Sequence, residues 1–296
     1  MAKIKSSSNS SPPFFNLYLF DWLAIGFLII TACIAFLNVK SGFEYALAGT
    51  IHILISMLLV WAGKKQFKSR FWQMLRYCYP VIIIGFVHYE VEMFLHLFYG
   101  PGVNFDALVS RWDYNLFGSP HLYWHHAMPS LFWVEFFHFL YMTYYPILIG
   151  SIIWVWKNRP DDIHRFAFIY LGIFLNFVVI YLIFPVFGPL DYRATLFHNT
   201  GYLPAVVDFL FTIGAPDGAA FPSSHVGQSV GIYLLLRPVS KPVKYLILFC
   251  ILGIGLSMIY VSIHYAIDAA AGLISGIVLY HIWNWIYRIA SGFYSK

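Results

Sequence analysis

The sequence predicts an all-α polytopic membrane protein, a helical bundle of about eight transmembrane helices with a six-helix core. Of its 296 residues, 60% are hydrophobic, 21% are aromatic and only 10% are charged. A soluble domain usually carries about 25% charged residues, which keep its surface wet. The composition therefore excludes an ordinary soluble enzyme, a disordered protein and a secreted scaffold held by disulfides.

Eight apolar segments are long enough, or nearly so, to cross about 30 Å of hydrocarbon, which takes roughly 20 residues. In chain order they are 18–39, 43–62, 74–99, 130–156, 163–184, 222–237, 243–262 and 265–288. The sixth segment is the shortest. The predicted organisation is a disordered cytoplasmic N-terminus at 1–17, two accessory helices in 18–73, the six-helix core in 74–288 and a cytoplasmic tail at 289–296.

The basic residues predict how these spans are oriented. With both termini on one side, only Lys40, Arg111 and Arg193 of the 18 Lys and Arg residues fall on the opposite side. Positive charge concentrates on the cytoplasmic side of membrane proteins, so both termini are predicted to be cytoplasmic. The basic residues are scattered singly along the chain, and the net charge of +5 therefore predicts no nucleic-acid partner.

The segment Phe221–His225 lies where an outer loop turns into the sixth span. Pro222 preorganises the first helical turn. The hydroxyls of Ser223 and Ser224, together with the free N–H groups of a helix start, suit a bound phosphate. A simple helix cap, with His225 as a polar residue at the membrane interface, is the alternative.

A second polar segment, Ser262–Asp268, leads into the last span. His264 and Asp268 are four residues apart, so on a helix they share a face and can form a hydrogen bond. An aspartate that accepts from one ring nitrogen raises the nucleophilicity of the other. A structural His–Asp bond that ties two helices together is the alternative.

These two segments, FPSSH and then HYAID about forty residues later, resemble the motifs of the type 2 phosphatidic acid phosphatase superfamily. The resemblance implies a catalytic six-helix core that needs no cofactor and no metal. It implies that His264 attacks a phosphoester phosphorus to form a phosphohistidine, and that Asp268 orients His264. By the same pattern His225 protonates the leaving oxygen and later activates the acceptor. Ser223 and Ser224 take the phosphate-binding positions, although the family usually has Gly at the second.

Two cations of the family pattern are missing. The loop that should carry a Lys and an Arg-Pro pair is 184–193, and it leaves Arg193 as the candidate phosphate clamp. Ser257 is followed by Met258 where the family has Ser-Arg. This loss resembles the branch that includes inositol phosphorylceramide synthases, as does the segment 111–118. An amphipathic interfacial helix is the alternative for that segment.

Five further polar residues are candidate headgroup contacts. His88, Glu92 and His96 recur every four residues in the third span. For these three residues we favour polar contacts with a substrate headgroup, or hydrogen bonds between spans, over a metal site. Asp191 and Tyr192 belong to the loop after the fifth span.

Together these features predict an integral membrane lipid phosphatase or phosphotransferase with its active site on the extracytoplasmic or lumenal face. The missing cations favour transfer from a lipid phosphate or phosphodiester to a lipid hydroxyl acceptor. A simple lipid phosphate phosphatase, acting on phosphatidic acid or a polyprenyl diphosphate, is the alternative. A proton-relaying transporter is a more distant alternative, because the His and Asp residues concentrate at one face. A catalytically dead lipid-binding relative is equally distant, because His225, His264 and Asp268 are all present.

Overall fold

The computed structural model describes residues 17–65, 67–197, 200–214, 216–236 and 239–294. These residues form fourteen α-helices and confirm the all-α class. The helices are α1 (Leu19–Leu37), α2 (Phe43–Gly63), α3 (Arg70–Tyr89), α4 (Val91–Tyr99), α5 (Asp106–Phe117), α6 (Trp124–Ala127), α7 (Leu131–Met142), α8 (Tyr144–Asn158), α9 (Ile163–Ile183), α10 (Leu190–Phe197), α11 (Tyr202–Gly214), α12 (Ser224–Leu235), α13 (Lys241–Tyr260) and α14 (Ala266–Tyr294). The predicted N-terminal segment lies outside the described residues except for Leu17, which is buried, and so does the end of the predicted tail.

Within the described residues, seven helical segments are long and apolar enough to cross a membrane, which confirms a polytopic bundle. They are Leu19–Leu37, Phe43–Gly63, Arg70–Tyr99, Leu131–Asn158, Pro160–Ile183, Lys241–Tyr260 and Ala266–Gly292. Each matches a predicted span to within a few residues. The sixth predicted span, 222–237, differs, because it forms α12, whose 12 residues extend about 18 Å. That length is shorter than the roughly 20 residues that usually cross the hydrocarbon layer, so α12 is not among these seven segments.

Helix α9 is the centre of the bundle. In its span 72% of the residues are buried, against 28–39% in the other six spans. It packs against α1, α3, α12 and α14. Tyr170 and Phe177 are fully buried in the main hydrophobic cluster. Because α9 is apolar on every side, it can be enclosed by other helices all round.

Helices α12 and α14 approach each other through glycines. A side chain at Gly272 would collide with the backbone oxygen of Ser223, and one at Gly276 with the backbone of Gly227. Small residues of this kind let two helix backbones come into contact. The approach brings the start of α12 beside the start of α14, where the two sequence motifs lie.

Buried polar pairs tie the accessory helices α1 and α2 to the core. Asp21 of α1 forms an ion pair with Arg76 of α3 and accepts a hydrogen bond from Tyr79 at 2.6 Å. In α2, the Nε2 atom of His52 lies 2.7 Å from the carboxylate of Glu90, between α3 and α4. Breaking a buried pair leaves an uncompensated charge. The accessory helices are therefore packed parts of the bundle.

Candidate active site

His264 and Asp268 lie within hydrogen-bond distance of each other at the start of α14. The Nδ1 atom of His264 is 3.2 Å from Oδ2 of Asp268. The same carboxylate oxygen accepts the backbone N–H of Tyr265 at 2.9 Å. Both side chains are buried. An Nδ1–H that donates to the carboxylate leaves the lone pair on Nε2, so Nε2 is the nitrogen that is free to act as a nucleophile.

A tight turn between α13 and α14 directs His264 towards α12. Ser262 adopts a left-handed conformation with a φ of 53°, which is uncommon for a residue with a Cβ. The backbone N–H groups of Ile263 and His264 both donate to the backbone oxygen of Met258, at 3.0 and 3.2 Å. The turn therefore has a fixed shape, and it reverses the chain just before the histidine.

His225 faces His264 from the first turn of α12. The two ring centres are 6.1 Å apart, and the rings are inclined by 71°. The Nε2 atom of His225 is 3.5 Å from the Tyr141 hydroxyl, and its ring packs on Tyr144 with the ring centres 4.3 Å apart. The rings of His225 and His264 therefore border the same space without a hydrogen bond between them among the described contacts.

Ser223 and Ser224 have different surroundings. Ser223 is the N-cap of α12, and its Oγ accepts the backbone N–H of Val226 at 3.5 Å. Its own N–H donates to the backbone oxygen of Asp268 at 2.9 Å, which ties α12 to α14. Ser224 lines the neighbouring cavity, and its N–H donates to the Tyr181 hydroxyl at 3.1 Å. Ser223 is thus a cap and a tether, whereas Ser224 is open to a ligand.

A cavity of about 360 Å³ adjoins these groups. Ser224, His225 and His264 line it, and the rest of its wall is mostly apolar and tyrosine side chains from α3, α7, α8 and α11. Among the described residues that line it there is no Lys, Arg, Asp or Glu. The arrangement places two histidines and a serine beside an apolar space, which suits a ligand with one polar end and an apolar body.

Arg193, the predicted phosphate clamp, is buried and is not among the residues that line the cavity. Its guanidinium donates to Oδ1 of Asp208 at 2.6 Å and to the backbone oxygen of Val261 at 2.9 Å. Burial lowers the pKa of this guanidinium, and its hydrogen bond to the Asp208 carboxylate opposes that shift. Val261 comes three residues before His264. Arg193 therefore anchors the turn that carries His264, and its role as a clamp stays a prediction.

The helix is interrupted between α3 and α4, which places His88 in α3 and both Glu92 and His96 in α4. His88 lines the cavity. Glu92 instead accepts the backbone N–H of Asp217 at 3.3 Å, and His96 is exposed. Burial and the nearby Glu92 carboxylate raise the pKa of Asp217. In the described residues no group of three His, Cys, Asp or Glu side chains could hold a metal ion.

Asp191 and Tyr192 of α10 are also absent from the lining of the cavity. Asp191 is exposed. The Tyr192 hydroxyl donates to the backbone oxygen of Leu122 at 2.8 Å and lies 3.2 Å from Nε2 of His126. As headgroup contacts, both residues stay predictions.

Sequence reasoning missed how α5 holds the second motif. Asp113 is fully buried and accepts the backbone N–H of Ile267 at 3.0 Å. Asp106 accepts a hydrogen bond from the Tyr265 hydroxyl at 3.2 Å. The two carboxylates are seven residues apart, which puts them on one face of α5, and this spacing was the available signal. The face of α5 that carries these two aspartates thus contacts the start of α14.

The family model of the PAP2 superfamily matches residues 108–282, more than half of the chain, and the match includes both motif segments. Searches of curated proteins and of solved structures found no match. The family match supports a phosphatase- or phosphotransferase-type activity on lipid phosphates. By this match and the motifs within it, the chain belongs to the PAP2 superfamily.

Proposed function

We propose that the protein transfers a phosphate-containing group from a lipid phosphoester or phosphodiester to a lipid hydroxyl, through a phosphohistidine on His264. The observation that carries this proposal is the meeting of Ser224, His225 and the His264–Asp268 pair beside one apolar cavity. The roles follow the family pattern at the positions that match it. The mechanism requires no metal and no cofactor.

In the first step, the Nε2 lone pair of His264 attacks phosphorus, and the bond from phosphorus to the leaving oxygen breaks. The imidazolium that forms keeps its Nδ1–H on Asp268, whose negative charge stabilises it. His225 gives a proton to the leaving oxygen, so the first lipid departs as a neutral alcohol. The dipole at the start of α12 favours the negative charge of the phosphate.

In the second step, the acceptor hydroxyl attacks phosphorus and its proton passes to His225. The P–N bond breaks, and its electron pair returns to Nε2 of His264. Both histidines are then in their starting protonation states. If water takes the place of the acceptor, the result is hydrolysis. The same phosphohistidine therefore accounts for a phosphatase and for a phosphotransferase.

The charge around the cavity supports a phosphodiester donor. No Lys or Arg is found among its described lining residues, and Arg193 is engaged by Asp208. Burying charge without a nearby cation is costly. A phosphomonoester carries up to two negative charges, whereas a diester carries one. We therefore favour transfer of the inositol phosphorylceramide synthase type over simple hydrolysis of a lipid monoester.

The test supplies purified protein in detergent with two donors labelled in the phosphate, phosphatidic acid and a phosphoinositol lipid. Each is given with and without ceramide or diacylglycerol. We expect the phosphoinositol lipid to be consumed at least tenfold faster when an acceptor is present. We expect His264→Ala to lower turnover by about 10³-fold or more, because the nucleophile is gone.

The matched control is His281→Ala, which removes an exposed histidine from the same helix, α14. Its turnover should stay within about twofold of the wild type, as for most surface substitutions. Rapid release of phosphate from phosphatidic acid without an acceptor would identify a simple lipid phosphatase. If the His264→Ala variant turned over as fast as the wild type, the phosphohistidine mechanism itself would be wrong.

A further inference from the structure

A third histidine, His88 of α3, lines the cavity that contains His225 and His264. Its ring is held among aromatic side chains, with ring centres 6.0 Å from Phe174 and 6.4 Å from Tyr181. Its Nδ1 atom is buried and has no hydrogen-bond partner among the described residues. A buried polar atom without a partner is costly. In a cavity, such an atom points to a polar group of the ligand.

His88 is the polar end of an apolar row along α3. Gly85, Ile84 and Val81 also line the cavity. They precede His88 by three, four and seven residues, so all four residues share one face of the helix. Leu148 of α8 contributes to the wall as well. A lipid alcohol fits this row with its polar end at His88 and its chain along the apolar residues.

The volume of the cavity suits the polar end and the adjoining part of the chain of one lipid at a time. About 360 Å³ is near the lower end of the range of roughly 300–1,000 Å³ typical of small-molecule pockets. In the two-step reaction the first alcohol leaves before the acceptor arrives. By microscopic reversibility the same row then serves the leaving alcohol and the incoming one.

On the basis of the proposed function, we infer that His88 binds the polar end of the lipid alcohol and so decides whether a lipid or water attacks phospho-His264. His88 forms no covalent bond, and the proton of the acceptor still passes to His225. Its role is specificity. Without the hydrogen bond from His88, a lipid hydroxyl loses its advantage over water.

The test is His88→Phe, which keeps an aromatic ring and removes both ring nitrogens. We expect the KM for ceramide or diacylglycerol to rise about tenfold, the amount that one lost hydrogen bond accounts for. At a fixed acceptor concentration the ratio of transfer to hydrolysis should fall about tenfold, because both products come from the same phosphohistidine and only the lipid hydroxyl uses this hydrogen bond. His88→Gln, which keeps a polar group, should restore part of the affinity for the acceptor. His88→Ala gives the same comparison if the Phe variant does not fold.

The matched control is His164→Phe in α9. The Nδ1 atom of His164 is likewise buried without a hydrogen-bond partner in the described residues, but His164 is not among the residues that line the cavity. Its variant should keep the acceptor KM of the wild type. An unchanged acceptor KM in His88→Phe, or an equal loss of hydrolysis and transfer, would overturn the inference and leave the proposed function intact. A wild type that ignores both acceptors would overturn the transfer proposal on which the inference rests.

Discussion

Arg193 donates hydrogen bonds to Asp208 and to the backbone oxygen of Val261, and so fixes the turn that presents His264. The family resemblance predicted a cation in the loop 184–193, and Arg193 is the only Lys or Arg in that part of the sequence. Its partner could not be predicted, because Asp208 lies 15 residues further on and follows no local pattern. At the residue scale, the sequence identifies the reactive groups but not the contacts that hold them.

Arg193→Met tests whether this cation holds the protein or the phosphate. We expect the stability in detergent to fall by about 1–3 kcal/mol, because charged hydrogen bonds are lost. We expect kcat to fall with it while the donor KM stays within about twofold. Melting temperature, kcat and KM are measured together. Asp208→Asn should also destabilise, since it leaves the buried guanidinium without its carboxylate. An unchanged melting temperature with a raised KM would instead make Arg193 a phosphate clamp.

At the scale of the element, helices α3 and α8 contribute long apolar stretches to the wall of the cavity. Gly85 marks an open place in α3, since a Cβ built there meets no heavy atom within 4 Å. A larger side chain at Gly85 would therefore enter the space that a lipid chain is expected to occupy. Gly26 of α1 is equally open but is not part of the cavity.

Gly85→Leu is expected to raise the KM for long-chain lipid donors about tenfold and to leave short-chain donors near the wild-type value. Leucine favours the helix by roughly 1 kcal/mol relative to glycine, so folding should not suffer. The measurement is KM across donors of increasing chain length, with Gly26→Leu as the matched control. An equal effect on short and long chains would show that the chain does not run along α3.

The long spans could be predicted because hydropathy summed over about 20 residues is a strong signal. Helix α12 could not be bounded in the same way. This helix is short and apolar and is surrounded by protein. Hydropathy along the sequence is the same whether an apolar helix contacts protein or lipid, so it does not give the bounds of such a helix. The tyrosines Tyr141, Tyr144 and Tyr145 line the cavity but were not predicted. Aromatic residues in a span usually serve packing alone.

At the scale of the whole molecule, the site depends on contacts between distant segments. The two motifs were expected to meet, since the family resemblance pairs them. The hydrogen bond between Asp113 and Ile267 joins residues that are 154 positions apart in the chain, and the contact between His52 and Glu90 joins residues that are 38 positions apart. Such contacts arise from how the helices pack against each other, and local patterns in the sequence do not reveal that packing. The orientation of the bundle, with cytoplasmic termini and an outer active site, stays a prediction.

Capture of the covalent intermediate is the most direct test of the phosphohistidine mechanism. Wild-type protein in detergent is mixed with a donor labelled in its phosphate, stopped within milliseconds by alkaline denaturant, and mapped by peptide mass spectrometry. The P–N bond of phosphohistidine survives base and is cleaved by acid. We expect a label on His264 that acid removes and that the His264→Ala substitution abolishes. A label on another residue, or rapid turnover with no labelled protein, would contradict it.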